Sequence, residues 1–242
     1  MRHIGITERG DAALDLGWEK WVKEGNPTIL ITKDPLKLRD YIKRAIPESL
    51  WKNIILHCTI TGMGGTYLEP NVPAFDENKN EYINIKKSLP GIARVILRFD
   101  PVIPVDPAFT QQIRVLKFLA QTEYFDEVIS SFIDNYPHIR EKVNLPWDGL
   151  HAPLETRLNA FGDIYEICEE RGLPLRMCGE PNLIKCGGCV NLADIKAFGL
   201  DESEFDLSTG NQRPVCSCIA AKKELLNVRH PCAHNCAYCY WQ

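Results

Sequence analysis

The chain has 242 residues, of which 45% are hydrophobic and 25% charged, enough apolar material for a full core in one domain or one and a half. Its 28 Lys and Arg stand against 32 Asp and Glu, a formal net charge of -4, which excludes a global basic field of the kind that announces a nucleic-acid partner. No apolar run approaches the length needed to span a bilayer and Met1–Glu8 lacks the long apolar stretch of a secretory signal, so a cytoplasmic location is the expectation.

Taken in chain order, short runs rich in Ile, Leu and Val alternate with helical stretches. Ile4–Ile6 reads as a strand, Leu14–Glu24 as a helix, Ile29–Thr32 as a strand and Pro35–Ala45 as a helix, with Asp34 capping it and Pro35 in its first turn. Strands follow at Ile54–Thr61, Ala93–Phe99, Val128–Phe132 and Leu175–Cys178, separated by helices at Ile83–Leu89, Phe109–Gln121, His138–Lys142 and Leu154–Arg171. The strands show little alternation, as expected of a sheet covered on both faces. Such repetition predicts parallel strands joined by right-handed crossovers, hence an α/β fold with a partial (β/α) barrel over residues 1–178.

In that architecture the residues just after each strand form the site. They include Arg9 and Asp11, Lys33 and Asp34, Gly62 to Thr66, Arg98 and Asp100, Asp134, and Cys178 to Glu180. Arg98 and Asp100 are two apart in extended chain and so project to the same side, where they bind a cofactor or brace a loop; Arg9 and Asp11 repeat the pattern. Gly62, Gly64 and Gly65 let the backbone approach a ligand closely or simply make a turn. His57, inside an apolar strand, reads as a satisfied core or mouth-facing imidazole. Cys58 and Cys168 read as ordinary buried residues, and Trp18, Trp21 and Trp51 as packing helices to the sheet.

From about Gly179 the character changes, and residues 179–242 form a Cys-rich, irregular C-terminal extension expected to be held together by metal more than by core. Of ten Cys, seven lie between Cys186 and Cys239, and in a reducing compartment such clustering points to metal ligation. Four of Cys178, Cys186, Cys189, Cys216 and Cys218 can hold a second four-iron cluster or a zinc ion, with Gly187 and Gly188 turning the backbone toward it and Cys186 the weakest ligand. At the end, Cys232, Cys236 and Cys239 are spaced by three and then two residues, with Tyr238 just before the last. Three thiols so placed can wrap one corner of an iron-sulfur cube and leave its fourth iron without a protein ligand. With His230 or His234 added they can instead close a structural zinc site. A purely electron-transferring cluster is a third option, though a bacterial ferredoxin run has two-residue gaps at its first three Cys.

In spacing and aromatic the terminal segment resembles the cluster loop of the radical S-adenosylmethionine (SAM) superfamily. Ile6–Asp11, Thr32–Pro35, Arg94–Pro101, Ser131–Asp134 and the end from Cys216 to Tyr240 together resemble the bacterial family described as domain of unknown function 1848. The resemblance implies a permuted radical-SAM-like barrel, because ordinary superfamily members carry the cluster loop after their first strand. It implies a four-iron four-sulfur (4Fe-4S) cluster on Cys232, Cys236 and Cys239 whose open iron chelates SAM, with Arg9, Gly62, Gly64, Gly65, Arg98 and Asp100 around the cofactor. Reductive cleavage to a 5'-deoxyadenosyl radical, hydrogen abstraction from an unidentified substrate, and an electron donor such as a flavodoxin or ferredoxin follow from it. The rival expectation is a non-catalytic zinc- or iron-sulfur-binding module.

Overall fold

The computed structural model describes all residues except Pro181, Lys185, 211–215, 227–231 and 241–242. Seven strands, β1 (Ile4–Ile6), β2 (Thr28–Thr32), β3 (Ile54–Thr59), β4 (Arg94–Val102), β5 (Glu127–Phe132), β6 (Leu175–Met177) and β7 (Lys222–Glu224), form one curled sheet. Their spatial order is β6-β5-β4-β3-β2-β1-β7, and every pairing is parallel. The result is a half-barrel rather than a closed one. Helices α1 (Glu19–Lys23), α2 (Pro35–Ala45), α3 (Phe75–Tyr82), α4 (Ile85–Ser88), α5 (Ala108–Leu119), α6 (Pro137–Arg140), α7 (Leu154–Glu170) and α8 (Leu192–Ala197) complete the fold. No helix among the described residues is long and apolar enough to cross a membrane.

The two-residue period of the strands sorts their side chains onto two faces. Leu30, Leu56, Val95, Leu97, Phe99 and Val128 pack outward against Val22, Leu38, Ile42, Val115, Leu116 and Ile164 of the helices. The alternate positions, Ile4, Ile6, Ile29, Ile31, Ile55, Ile96 and Ile129, face inward and pack against Val190, Ile195, Phe198, Phe205 and Ile219. The segment after β6 therefore fills the inner face with an apolar plug. It also contributes β7 to the same sheet, so the Cys-rich region shares an apolar core with the strands.

Buried ion pairs fix the plug at the lower end of the inner face. Arg94 bonds Asp194 of α8 at 3.0 Å and Glu127 of β5 at 2.7 Å, while Arg176 of β6 bonds the Glu127 carboxylate and donates to the Gly188 carbonyl at 2.5 Å. Asn191 caps α8 by accepting from the Ala193 amide, and Asp194 answers by accepting from the Asn191 amide. Asp34 likewise accepts from Lys37 at the start of α2, with Pro35 in its first turn, as its sequence indicates.

The six strands legible as apolar runs are all present, with β3 ending at Thr59 and β4 reaching Val102. Strand β7 is Lys-Lys-Glu at the sheet edge and among the described residues pairs only with β1, which explains why no hydrophobic run marks it. The helix expected over Leu14–Glu24 shortens to Glu19–Lys23; α3 is short and polar, and α8, at 6 residues, is too short for a periodic signal.

Ile55 is fully buried on the inner face, so Ile55→Ala should cost about 2–5 kcal/mol through lost transfer energy and a cavity. Leu158→Ala, at a position 45% exposed on α7, should change stability by no more than about 0.5 kcal/mol. Thermal or denaturant unfolding of the two variants checks the difference.

Candidate active site

The carboxyl ends of the strands form the floor of a cavity of about 600 Å³, within the range of sites for small molecules and cofactors. Arg9, Gly10 and Asp11 follow β1, Thr32 and Lys33 end β2, Thr59 ends β3, Arg98 and Asp100 lie on β4, Ser131 on β5 and Cys178 just after β6. The opposite wall is the tail: Cys232, His234, Asn235, Cys236, Tyr238, Cys239 and Tyr240. The three terminal thiols and the strand ends thus border one space, although they lie at opposite ends of the chain.

Local geometry accounts for the shape of the tail. The Asn235 amide donates to the Cys232 carbonyl at 3.0 Å and the Cys239 amide to the Cys236 carbonyl at 3.1 Å, two consecutive tight turns. Asn235 sits at φ 50°, a left-handed conformation that Asn tolerates better than most residues. Burial pushes the Cys236 thiol up to about 12 and raises that of Cys232, and charge on Cys239 adds to both shifts. His230 lies outside the described residues.

Two buried polar networks clamp this tail to the barrel. In the first, Asp11 accepts from the Ala13 amide, the Thr32 hydroxyl and the Lys33 amide at 2.8, 2.7 and 2.6 Å, and its other partner is His234 Nε2 at 2.9 Å. His234 Nδ1 lies 3.2 Å from the Asn71 carbonyl. A carboxylate and a carbonyl only accept, so the imidazolium form of His234 is the one that satisfies both contacts. Burial alone would lower the His234 pKa, yet Asp11 holds it above the ordinary value. Burial alone would raise the Asp11 pKa, yet the hydrogen bond and charge of His234 hold it below.

The second network centres on Glu69, which accepts from Lys33 Nζ at 2.7 Å, from Thr61 Oγ1 at 2.8 Å and from the Tyr238 hydroxyl. Lys33 also donates to Tyr238 at 3.0 Å. Desolvation opposes the charge on Lys33, but Glu69 and the neighbouring Cys236 keep its pKa raised. Backbone contacts finish the attachment: Ala237 donates to the Leu68 carbonyl at 2.9 Å, and Asn71 Nδ2 to the Ala233 carbonyl at 2.8 Å. His138 Nε2 lies 3.1 Å from the Cys239 carbonyl.

Arg98 and Asp100 do project to one side, into the cavity, and pair with each other at 2.9 Å, with Ser131 also bonded to Asp100. Arg9 lines the same cavity. Gly62, Gly64 and Gly65 do not: Gly62 and Gly64 border a small separate pocket, together with Glu69. A Cβ on Gly64 would fall 2.2 Å from the Pro73 carbonyl oxygen, and Gly62 and Gly65 hold φ values of 79° and 76°. These glycines shape the 62–72 loop that carries Leu68, Glu69 and Asn71 to the tail, so they act on the site through the clamp. Asp134 pairs with His151 at 2.8 Å and Glu180 with Arg157 at 2.6 Å; neither acid borders the cavity. Cys58 and Cys168 are buried as expected, and Trp18 and Trp51 pack in the outer core. His57 is buried with neither ring nitrogen bonded among the described residues, so of the two readings, a satisfied core imidazole or a mouth-facing one, the satisfied core imidazole is not what the described residues form.

The profile of the family described as Domain of unknown function (DUF1848) matches residues 23–241. The chain belongs to the DUF1848 family. No curated protein and no solved structure matches it. The matched span of this DUF1848 chain takes in β2 to β7, the 62–72 loop and the tail thiols.

Cys232, Cys236 and Cys239 border the cavity from two successive turns, and three thiols are donors that fit either an iron-sulfur cluster or, with a fourth ligand, zinc.

Breaking the Lys33–Glu69 pair by Glu69→Leu leaves a buried ammonium without its counter-charge and should destabilise the DUF1848 fold by about 3–5 kcal/mol. Replacing both, as Lys33→Met with Glu69→Leu, should cost less than the single change. Denaturant titration gives both values, and hydrogen exchange at the Ala237 amide should speed up in the single variant as the tail loosens.

Proposed function

We propose that this DUF1848 protein is a radical SAM-type enzyme whose terminal thiols Cys232, Cys236 and Cys239 hold a 4Fe-4S cluster facing the cavity at the strand ends. The observation that carries this reading is the position of the thiol loop. It follows β7, and β7 lies at the sheet edge beside β1. In space the thiols border the carboxyl ends of the strands, although in sequence they come last. Thiols at the chain's end that border the strand ends are what the proposed permuted radical-SAM-like barrel requires.

When bound, the cluster and SAM supply reductive cleavage of the sulfonium and a 5'-deoxyadenosyl radical for hydrogen abstraction. The chain's own residues bind, orient and shield. Cys232, Cys236 and Cys239 hold the metal, and Tyr238, buried against Glu69 and Lys33, keeps water from that side. Lys33 places a fixed positive charge beside Cys236, which offsets part of the negative charge of a thiolate-bound cluster. Arg98, paired with Asp100, and Arg9 line the cavity, where their positive charge suits a carboxylate, and Asp11 is held by His234. A substrate would occupy the remaining volume, an electron donor such as a flavodoxin or ferredoxin would supply the electron, and the setting proposed is the reducing cytoplasm.

Anaerobically purified protein given SAM and a strong reductant should release 5'-deoxyadenosine, and Cys236→Ala should abolish that release while leaving the circular-dichroism spectrum unchanged. Colourless protein with stoichiometric zinc and no 5'-deoxyadenosine, or cleavage that persists in Cys236→Ala, would overturn the proposal in favour of a non-catalytic module.

A further inference from the structure

A second set of thiols lies beneath the cavity, on the inner face of the half-barrel. Cys178, Cys189 and Cys218 are buried there and Cys216 packs against the same apolar cluster. Cys189 and Cys218 approach to 3.3 Å between sulfurs. Their backbones run together: Ile219 donates to the Val190 carbonyl at 3.2 Å, and a Cβ on Gly188 would fall 2.5 Å from the Cys218 Cα. Glycine is thus required where the two thiol-bearing loops touch. Cys186 is exposed and outside this cluster.

The surroundings point independently to an anionic, sulfur-bound group. Arg98 Nη1 and both ring nitrogens of His57 are buried without a hydrogen-bond partner among the described residues. Orphaned buried donors of this kind are rare and costly. His57 lies two residues beyond Ile55 on β3 and so shares its inward face. Both His57 and Arg98 lie within electrostatic reach of Cys189, as does Lys222. Thiolate sulfurs bridged by a metal carry negative charge and accept hydrogen bonds, which gives these groups a role that four free thiols would not.

We propose that Cys178, Cys189, Cys216 and Cys218 bind a second metal centre through sulfur, either an iron-sulfur cluster or zinc, with Arg98 and His57 supporting its sulfurs. Cys178 and Arg98 also line the cavity, so the centre would lie directly behind the cavity wall. It stands apart from the tail chemistry and does not require the SAM reading.

The test removes the tail site first. A C232A/C236A/C239A variant, purified anaerobically and shown folded by circular dichroism, should retain metal, and adding Cys189→Ser should cause its loss. Iron with acid-labile sulfide identifies a cluster, and zinc without sulfide identifies a single ion; either supports the proposal. Cobalt(II) added to the metal-free triple variant should produce a thiolate-to-cobalt charge-transfer band, a readout that needs no further substitution. A folded triple variant that holds no metal and gives no cobalt band, or one with a Cys189–Cys218 disulfide, overturns the second centre and leaves the SAM proposal standing. If the triple variant keeps all the metal of the unaltered protein, the tail site is the one that fails.

Discussion

The structure depends on a clamp between the two ends of the chain. Asp11, just after the first strand, and His234, inside the thiol loop, form a buried charged pair 2.9 Å apart, and Glu69 gathers Lys33 and Tyr238 a short distance away. Buried pairs of this kind add little net stability but are expensive to break, because a lone charge would remain out of water. Their effect here is positional. They allow one placement of the terminal thiols, over the carboxyl ends of the parallel strands, and without it the thiols and the cavity would be unrelated features.

The half-barrel makes that placement possible. Because the inner face is filled by isoleucines packed on Val190, Ile195, Phe198 and Ile219, the segment after β6 crosses the inside of the sheet and emerges beside β1. There it adds β7. One apolar plug thus closes the sheet's inner face and holds the second set of thiols. Arg98 connects the levels, with its Asp100 partner in the cavity and its neighbours Cys178 and Cys189 below.

Much of this was readable from local patterns. Apolar runs located β1 to β6, the two-residue period put Arg98 and Asp100 on one side, and the spacing of Cys232, Cys236 and Cys239 marked the tail. What local patterns missed is what only long-range contacts create. Asp11 and His234 are 223 positions apart and Glu69 and Tyr238 are 169 apart, so neither pairing leaves a periodic signature. Strand β7 has no apolar residue to reveal it. The glycines at 62–65 illustrate a different gap: Gly-rich turns look alike whether they face a ligand or another backbone, and only the Pro73 carbonyl next to Gly64 decides between them.

The central claim is that the terminal thiols leave one iron open to an exchangeable ligand inside the strand-end cavity. Electron-nuclear double resonance on the reduced protein with SAM labelled by oxygen-17 in its carboxylate and nitrogen-15 in its amino group tests it most directly. The account predicts hyperfine coupling from both labels to a reduced cluster that disappears in C236A. A reduced cluster whose spectrum is unchanged by labelled SAM, with every iron bound by the protein, would contradict it.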